Sequence, residues 1–442
     1  MNMGPYNHPV LRILDLRDVT DADYRERLPR AEFDVEHAVA VVTPICDAVA
    51  AEGEAALRRF SEQFDHVVPE KLRIDADTLA RCEAELDPAV RDAFLESIRR
   101  RRAVCAAEAE LPNRVVELAP GAVVEQRLIP VTRVGLYVPG GVAPLASSVI
   151  MNVVPAQAAG VAEIAVASPP QAEFGGLPHP NILGLCNMLG ITEVYAVGGA
   201  QAIAMFAHGV AGLCRRVDMV TGPGNIYVVA AKRLLRGLIG IDSEAGPTEI
   251  AVLADDTADP RYVAADLISQ AEHDPVAASL LVTPSPAQAA AIEAELDRQI
   301  PNLPDADRVV TALTGPQSAV VFVRDIEQGI EVVNAYAAEH LEIQTADARA
   351  VADRIRNAGA VFIGSWSPVS LGDYSAGSTH VLPTGGSAAH SSGLCVLSFL
   401  KAVHYIDYSA EALQEIAAGV EDFAAAERLP AHRAAITVRR TR

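Results

Sequence analysis

From Arg133 onward, short apolar β-type runs alternate with amphipathic helical stretches, and this alternation constrains the fold more than any other feature. A first series reads as strands at Val134–Val138, Glu163–Ala167, Glu193–Val197 and Val217–Val220. Helices fall between them at Ser147–Ala159, from Gln201, and after Gly224. A second series sets strands at Glu249–Leu253, Ala278–Val282, Ala319–Val323 and Ala360–Ile363 against helices at Arg261–Glu272, Pro286–Gln299 and Ile326–Ala338. Parallel neighbours need crossover connections, so two such series predict two parallel, helix-covered sheets. The expected class is α/β: two Rossmann-like parallel-sheet lobes with helical N-terminal and C-terminal extensions.

Before Arg133 the chain is rich in Ala, Glu and Arg with helical periodicity over Thr43–Phe64 and Asp75–Glu110. Thr43-Pro44 reads as an N-cap followed by proline at the first helical position. The tail, Glu411–Ala426, reads as a lone amphipathic helix without strands around it.

The 442 residues carry a formal net charge of −21, with half of them hydrophobic. That balance suits a folded protein and argues against nucleic acid and anionic membrane, both of which are met through Lys and Arg. The start, Met1 to His8, has no basic stretch followed by an apolar run, so no secretory signal is expected. Val149–Ser168, the most apolar long window, is broken by Pro155, Gln157 and Glu163 and reads as helix, turn and strand. Six scattered cysteines without a Cys-x-x-Cys pair indicate neither a disulfide framework nor a thiolate zinc site. A reducing, cytoplasmic setting is expected.

Three stretches hold chemistry-bearing side chains. Ser365–His380 is a long Gly- and Ser-rich segment with the only tryptophan, in which Asp373 and His380 are either ligands or turn and capping residues. In Ser269-Gln270-Ala271-Glu272-His273, Gln270 and His273 share one helical face, with about 5–6 Å between Cβ atoms. They could serve one metal, or His273 could simply complement a helix C-terminus. Glu339-His340 reads as the close of a helix, an acid–base pair only if helix end and loop both turn inward. Glu427 and His432 read equally well as surface residues.

The Gly-x-Gly-x-x-Gly dinucleotide fingerprint is absent. Three other Gly-rich turns follow strands, at Pro139-Gly140-Gly141, Gly198-Gly199-Ala200-Gln201 and Gly222-Pro223-Gly224-Asn225. Each sets backbone N–H groups at a helix start, where phosphate can bind, and together they point to a ligand crevice.

These segments in order (RVGLYVPGG, VYAVGGAQAIA, TGPGN, AGPTEI, DLISQAEHD, AAEHLEI, GSWSPVSLGDYSAGSTHVLPT and ERLPAH) resemble the histidinol dehydrogenase family. The resemblance runs from Arg133 to His432. It implies two successive NAD-dependent oxidations of L-histidinol to L-histidine through bound L-histidinal, in the last steps of histidine biosynthesis. It assigns one Zn²⁺ per subunit to Gln270, His273, Asp373 and His432, and acid–base roles to Glu339 and His340. Thr248, Gln270, His273, His340, Asp373, His380, Glu427 and His432 map onto the substrate contacts. Tyr137, Gln201 and Asn225 map onto the NAD contacts. His432 would come from the partner subunit, making the tail an arm exchanged across a homodimer. Thr248 stands where many members have serine, and Gly386–Gly393 departs from commoner members.

The division expected on this basis has 1–30 as an N-terminal extension, and 31–132 with 248–394 as the lobe of the zinc and catalytic residues. Residues 133–247 form the nucleotide lobe, and 395–442 a helical dimerisation arm. A neutral histidine at position 340 suits removal of the alcohol proton, and Glu339 suits activation of the water added to the aldehyde. An N/O ligand set without thiolate suits Zn²⁺, here holding the substrate's nitrogens in place. The alternative, a zinc hydrolase on two α/β lobes, would hold a catalytic water with His273, Asp373 and His432 but has no use for three nucleotide-like turns, and a two-lobed binding protein has no need of Glu339-His340.

Overall fold

The structure, a computed structural model, describes residues 11–20, 23–31, 34–140, 144–244 and 246–440. The reading of Met1–His8, together with Gly141 of the first Gly-rich turn, lies outside these residues.

In chain order, strand β1 (Arg12–Asp15) is followed by helices α1 (Val35–Glu52), α2 (Glu54–Phe60), α3 (Ala76–Ala84) and α4 (Pro88–Ala109). A hairpin of β2 (Arg114–Ala119) and β3 (Ala122–Pro130) comes next. Then β4 (Arg133–Tyr137), α5 (Ser147–Ala158), β5 (Glu163–Ser168), α6 (Pro180–Met188), β6 (Val194–Ala196), α7 (Gly199–His208), β7 (Met219–Thr221), α8 (Ile226–Leu235) and β8 (Gly240–Ile241) wind one lobe. The other lobe runs through β9 (Glu249–Ala254), α9 (Pro260–Ala271), β10 (Ala278–Thr283), α10 (Pro286–Gln299), α11 (Ala306–Thr314) and β11 (Ala319–Phe322). It continues with α12 (Ile326–Tyr336), β12 (His340–Gln344), α13 (Ala348–Ala352), β13 (Ala360–Ile363) and α14 (Val369–Tyr374). The chain ends in β14 (Leu400–Tyr408), α15 (Ala410–Ala426) and α16 (Pro430–Arg440).

Both expected sheets are present and wholly parallel. One has the order β6-β5-β4-β7-β8, the other β1-β11-β10-β9-β12-β13. Counting from the first strand of each βα series, both run 3-2-1-4-5, the doubly wound Rossmann order without its sixth strand. In the first sheet the reversal lies between β4 and β7, where Tyr137 and the Gly222–Asn225 turn leave the carboxyl edge. Among the described residues, no helix is long and apolar enough to cross a membrane.

Several expectations need correction. Thr43-Pro44 does not start a helix: α1 is capped by Asp34, whose carboxylate accepts from His37 N at 2.8 Å. Pro44 lies inside it, and the Thr43 hydroxyl bonds the Val39 carbonyl instead. The apolar stripe Val35, Ala38, Val42, Ile45, Val49 begins before the Thr-Pro pair, and its burial outweighs the proline. At Asp87-Pro88 and Asp259-Pro260 no such stripe precedes, and there the same signature does start a helix.

The tail helix is not without strands. β14 pairs antiparallel with β3 from Leu400↔Pro130 to Tyr408↔Ala122, making a three-stranded sheet with β2. The expected grouping of 31–132 with 248–394 also differs from the packing. α1 lies against α7 and α8, α3 against α6, and α4 against α5, so α1–α4 cover the 133–247 sheet. Strand β1, placed in the expected extension, is instead the edge strand beside β11.

Candidate active site

The amino edge of the 249–363 sheet and the carboxyl edge of the 133–241 sheet supply the candidate residues. Thr248 immediately precedes β9, His340 is the first residue of β12, and Gln270 is the penultimate residue of α9. Glu339-His340 therefore does not close a helix. α12 stops at Tyr336, Ala337 turns through a left-handed conformation (φ 49°), and the chain enters β12 directly. A left-handed non-glycine residue is strained, and here it turns the chain so that Glu339 and His340 enter β12 with buried side chains. The Glu339 backbone is clamped from β13: Ala360 N donates to its carbonyl at 2.9 Å, and a Cβ on Gly359 would sit 2.5 Å from that oxygen.

Glu339 and His340 are both buried. Glu339 Oε2 accepts from the Thr248 hydroxyl at 2.5 Å and from Glu249 N at 3.0 Å, and it lies 3.7 Å from His340 Nδ1. Burial pushes the Glu339 carboxyl up to about 8 despite these donors, with Glu249 and Asp373 adding repulsion. Burial drives His340 down to about 3, helped by neighbouring His273 and His380. Burial thus favours the neutral form of both members of the pair.

Gln270 donates from Nε2 to Thr248 Oγ1, which leaves its carbonyl Oε1 buried with no partner. A buried, unpaired amide oxygen is costly and is what a cation would satisfy. His273 lies two residues past the end of α9, exposed and beside Asp373, so the two ligands expected on one helical face are split by the helix end. Asp373 is half-buried on α14 within the Ser365–His380 segment, and burial raises its carboxyl while His273 lowers it. His380 Nδ1 lies 3.9 Å from Asp373 Oδ1.

That segment is held from the opposite lobe. Ser97 on α4 bonds the Tyr374 carbonyl, and buried Arg101 donates to the carbonyls of Gly377 and Leu394, both at 3.2 Å. Glu427 and His432 do not join the cluster. Both are exposed on the arm, and among the described residues no three His, Cys, Asp or Glu side chains of one chain converge as a metal site.

On the other lobe, the buried Tyr137 hydroxyl accepts from Gly199 N at 3.0 Å, and buried Gln201 lies two residues on in α7. Exposed Asn225 caps α8, accepting from Tyr227 N and Val228 N at 3.1 and 3.2 Å. Its turn is fixed by Lys232, which donates to the Gly222 carbonyl at 2.8 Å and pairs with Asp242. Gly222 admits no side chain, because a Cβ would stand 2.1 Å from the Tyr137 carbonyl oxygen.

The sequence model described as Histidinol dehydrogenase matches residues 28–440. The chain belongs to the histidinol dehydrogenase family. It is 66% identical over 439 residues to a histidinol dehydrogenase of Cutibacterium acnes, covering 98% of this chain and all of the relative. It is 62% identical over 430 residues to one of Thermobifida fusca, covering 97% and 98% of the two chains. The crystal structure of histidinol dehydrogenase from Elizabethkingia anophelis superimposes with a TM-score of 0.90 at 31% identity, covering 98% of each chain. Histidinol dehydrogenases are zinc-binding oxidoreductases that use NAD to oxidise histidinol in histidine biosynthesis. The unpaired Gln270 oxygen, with His273 and Asp373 beside each other, fits a zinc ion with nitrogen and oxygen donors.

Sequence reasoning missed two groups that shape this site. Arg30 pairs with buried Glu249 at 3.0 Å behind Glu339, and Ser148 reaches His380 from the other lobe. Arg30 lies outside any motif and gave no signal. Ser148 opens the helix after a Gly-rich turn, which was a usable hint.

Proposed function

We propose that Glu339 and His340 divide the two oxidations of histidinol between them. The observation carrying this reading is geometric: Glu339 and His340 are buried side by side, Oε2 lying 3.7 Å from Nδ1, with the carboxyl held by the Thr248 hydroxyl and Glu249 N. In the first oxidation the carbinol carbon gives up hydride and the hydroxyl proton passes to His340. In the second, water adds to the aldehyde and the resulting diol gives up hydride and a proton. Glu339 is the base for that water. NAD⁺ would take up one hydride in each oxidation, two molecules being reduced per histidinol, and zinc would orient the substrate's amine and imidazole.

Gln270, His273 and Asp373 are the zinc ligands of this chain, and the partner subunit supplies the fourth through its own copy of His432. Thr248, His380 and Glu427 complete the histidinol pocket, and Tyr137, Gln201 and Asn225 the nucleotide crevice. The arm supports a homodimer. Ile406 is 73% exposed and Phe423 68%, while Val115, Val116 and Leu118 of β2 are also open. This much apolar surface on one small unit suits a covered interface. A cytoplasmic setting belongs to the same reading.

The test follows the two half-reactions separately. Glu339→Gln retains oxidation of histidinol to the aldehyde and loses oxidation of histidinal. Equal slowing of both would refute the division.

A further inference from the structure

A buried polar chain runs from the nucleotide-side sheet to the pocket histidine. Thr221, the last residue of β7, donates from Oγ1 to Asn152 Oδ1 at 2.7 Å. Asn152, on α5, donates from Nδ2 to the Ser148 carbonyl at 2.8 Å. Ser148 Oγ then lies 3.1 Å from His380 Nε2. Thr221, Asn152 and Ser148 are completely buried, among Val149, Ile150, Val153 and Leu136. Apolar residues would pack this helix–sheet contact without the desolvation cost of three polar side chains. The two ends of the chain are the informative part. Thr221 directly precedes the Gly222–Asn225 turn, and His380 stands beside Asp373.

We propose that Ser148 and Asn152 are positioning residues that orient the His380 ring from the opposite lobe, through a chain anchored at the nucleotide turn. This rests on the reading of His380 as part of the histidinol pocket. The ring presents Nδ1 toward the Asp373 carboxyl, 3.9 Å away, and Nε2 toward Ser148, 3.1 Å away. With Nδ1 facing a carboxyl acceptor, the geometry favours the tautomer that donates from Nδ1 and leaves Nε2 to accept the Ser148 hydroxyl proton. Asn152 fixes where Ser148 stands, because it ties the first turn of α5 to the end of β7. Movement of the Gly222–Asn225 turn is thereby passed to His380, and occupancy of one site alters affinity at the other. Such coupling is reciprocal.

The test uses zinc-loaded, full-length protein. Ser148→Ala shifts the His380 imidazole ¹⁵N resonances from the Nδ1–H pattern toward Nε2–H, and kcat/KM for histidinol falls about fivefold to tenfold, the worth of one hydrogen bond. Ser148→Thr keeps the hydroxyl and restores both. Asn152→Leu abolishes the effect of NAD on histidinol affinity, and Thr221→Val does the same if the leucine variant melts early. A wild-type His380 tautomer in Ser148→Ala, or unchanged coupling in a folded Asn152→Leu or Thr221→Val variant, overturns the proposal. The tautomer readout needs no turnover, so it stands even if wild-type protein failed to make NADH from histidinol; that failure would refute the pocket assignment instead.

Discussion

The Thr248 hydroxyl donates to Glu339 Oε2 at 2.5 Å while its oxygen receives the Gln270 amide, so one side chain joins the proposed zinc ligand to the carboxyl of the proposed acid–base pair. Thr248→Val breaks both links at nearly constant volume. Glu339 then loses a donor that favours its charged form, so its proton affinity rises further. The expected result is an alkaline displacement of the pH profile for histidinal oxidation and a loss of about tenfold in rate at pH 7. Thr248→Ser, which keeps the hydroxyl, stays close to the parent. A histidinal pH profile unchanged in Thr248→Val would contradict this role.

Burial of Glu339 also makes a stability prediction whose sign can be worked out. Its folded-state value of about 8 lies above the ordinary 4.5, so the folded chain holds the proton more tightly than the unfolded one. The stabilisation is complete below about pH 4.5 and is lost as pH rises toward 8. In the metal-free protein, Glu339→Gln should therefore melt on the order of a few degrees higher than wild type at pH 8.5, with the advantage gone at pH 5. Thermal melts at the two pH values check this. His340 works in the opposite sense: held near 3 against an ordinary 6.5, it costs stability as pH falls below about 6.5.

The unpaired carbonyl of Gln270 predicts its own phenotype. Gln270→Leu removes both the oxygen left for zinc and the donor to Thr248. Zinc content after dialysis against a weak chelator should fall at least about tenfold. Gln270→Glu, which keeps an oxygen at that place, should retain more. Equal zinc in the leucine variant and wild type would exclude Gln270 as a ligand.

Much of this was legible in the residues. The βα alternation placed both parallel sheets, because buried parallel strands read as continuous apolar runs between helical periods. The sequence missed what depends on long-range pairing. β14 and the β2–β3 hairpin lie about 280 residues apart, and each looks like ordinary connecting chain until they pair. His340-Leu341-Glu342-Ile343-Gln344 hides as a strand because buried Glu342 interrupts its apolar run. That carboxylate accepts from Val369 N at 3.0 Å, an interaction between residues far apart in sequence. The helices of 35–109 gave their apolar faces but not which lobe those faces would meet.

The exposed arm predicts an oligomeric phenotype. Phe423→Asp or Ile406→Asp places a charge on apolar surface that the proposed homodimer would bury. Light scattering should then report monomer, with zinc lost in step because His432 no longer reaches a partner's site. A zinc-replete monomer would separate the arm from the metal.

The central claim is that each site joins Glu339 of one chain to His432 of the other. It is tested most directly by mixing two inactive variants, His432→Ala and Glu339→Gln, under conditions that exchange subunits, and measuring histidine formed from histidinol. Each heterodimer then holds one site with wild-type Glu339 and a wild-type arm, so roughly a quarter of wild-type activity should return. If the mixture makes no more histidine than the two variants kept apart, the shared site is wrong.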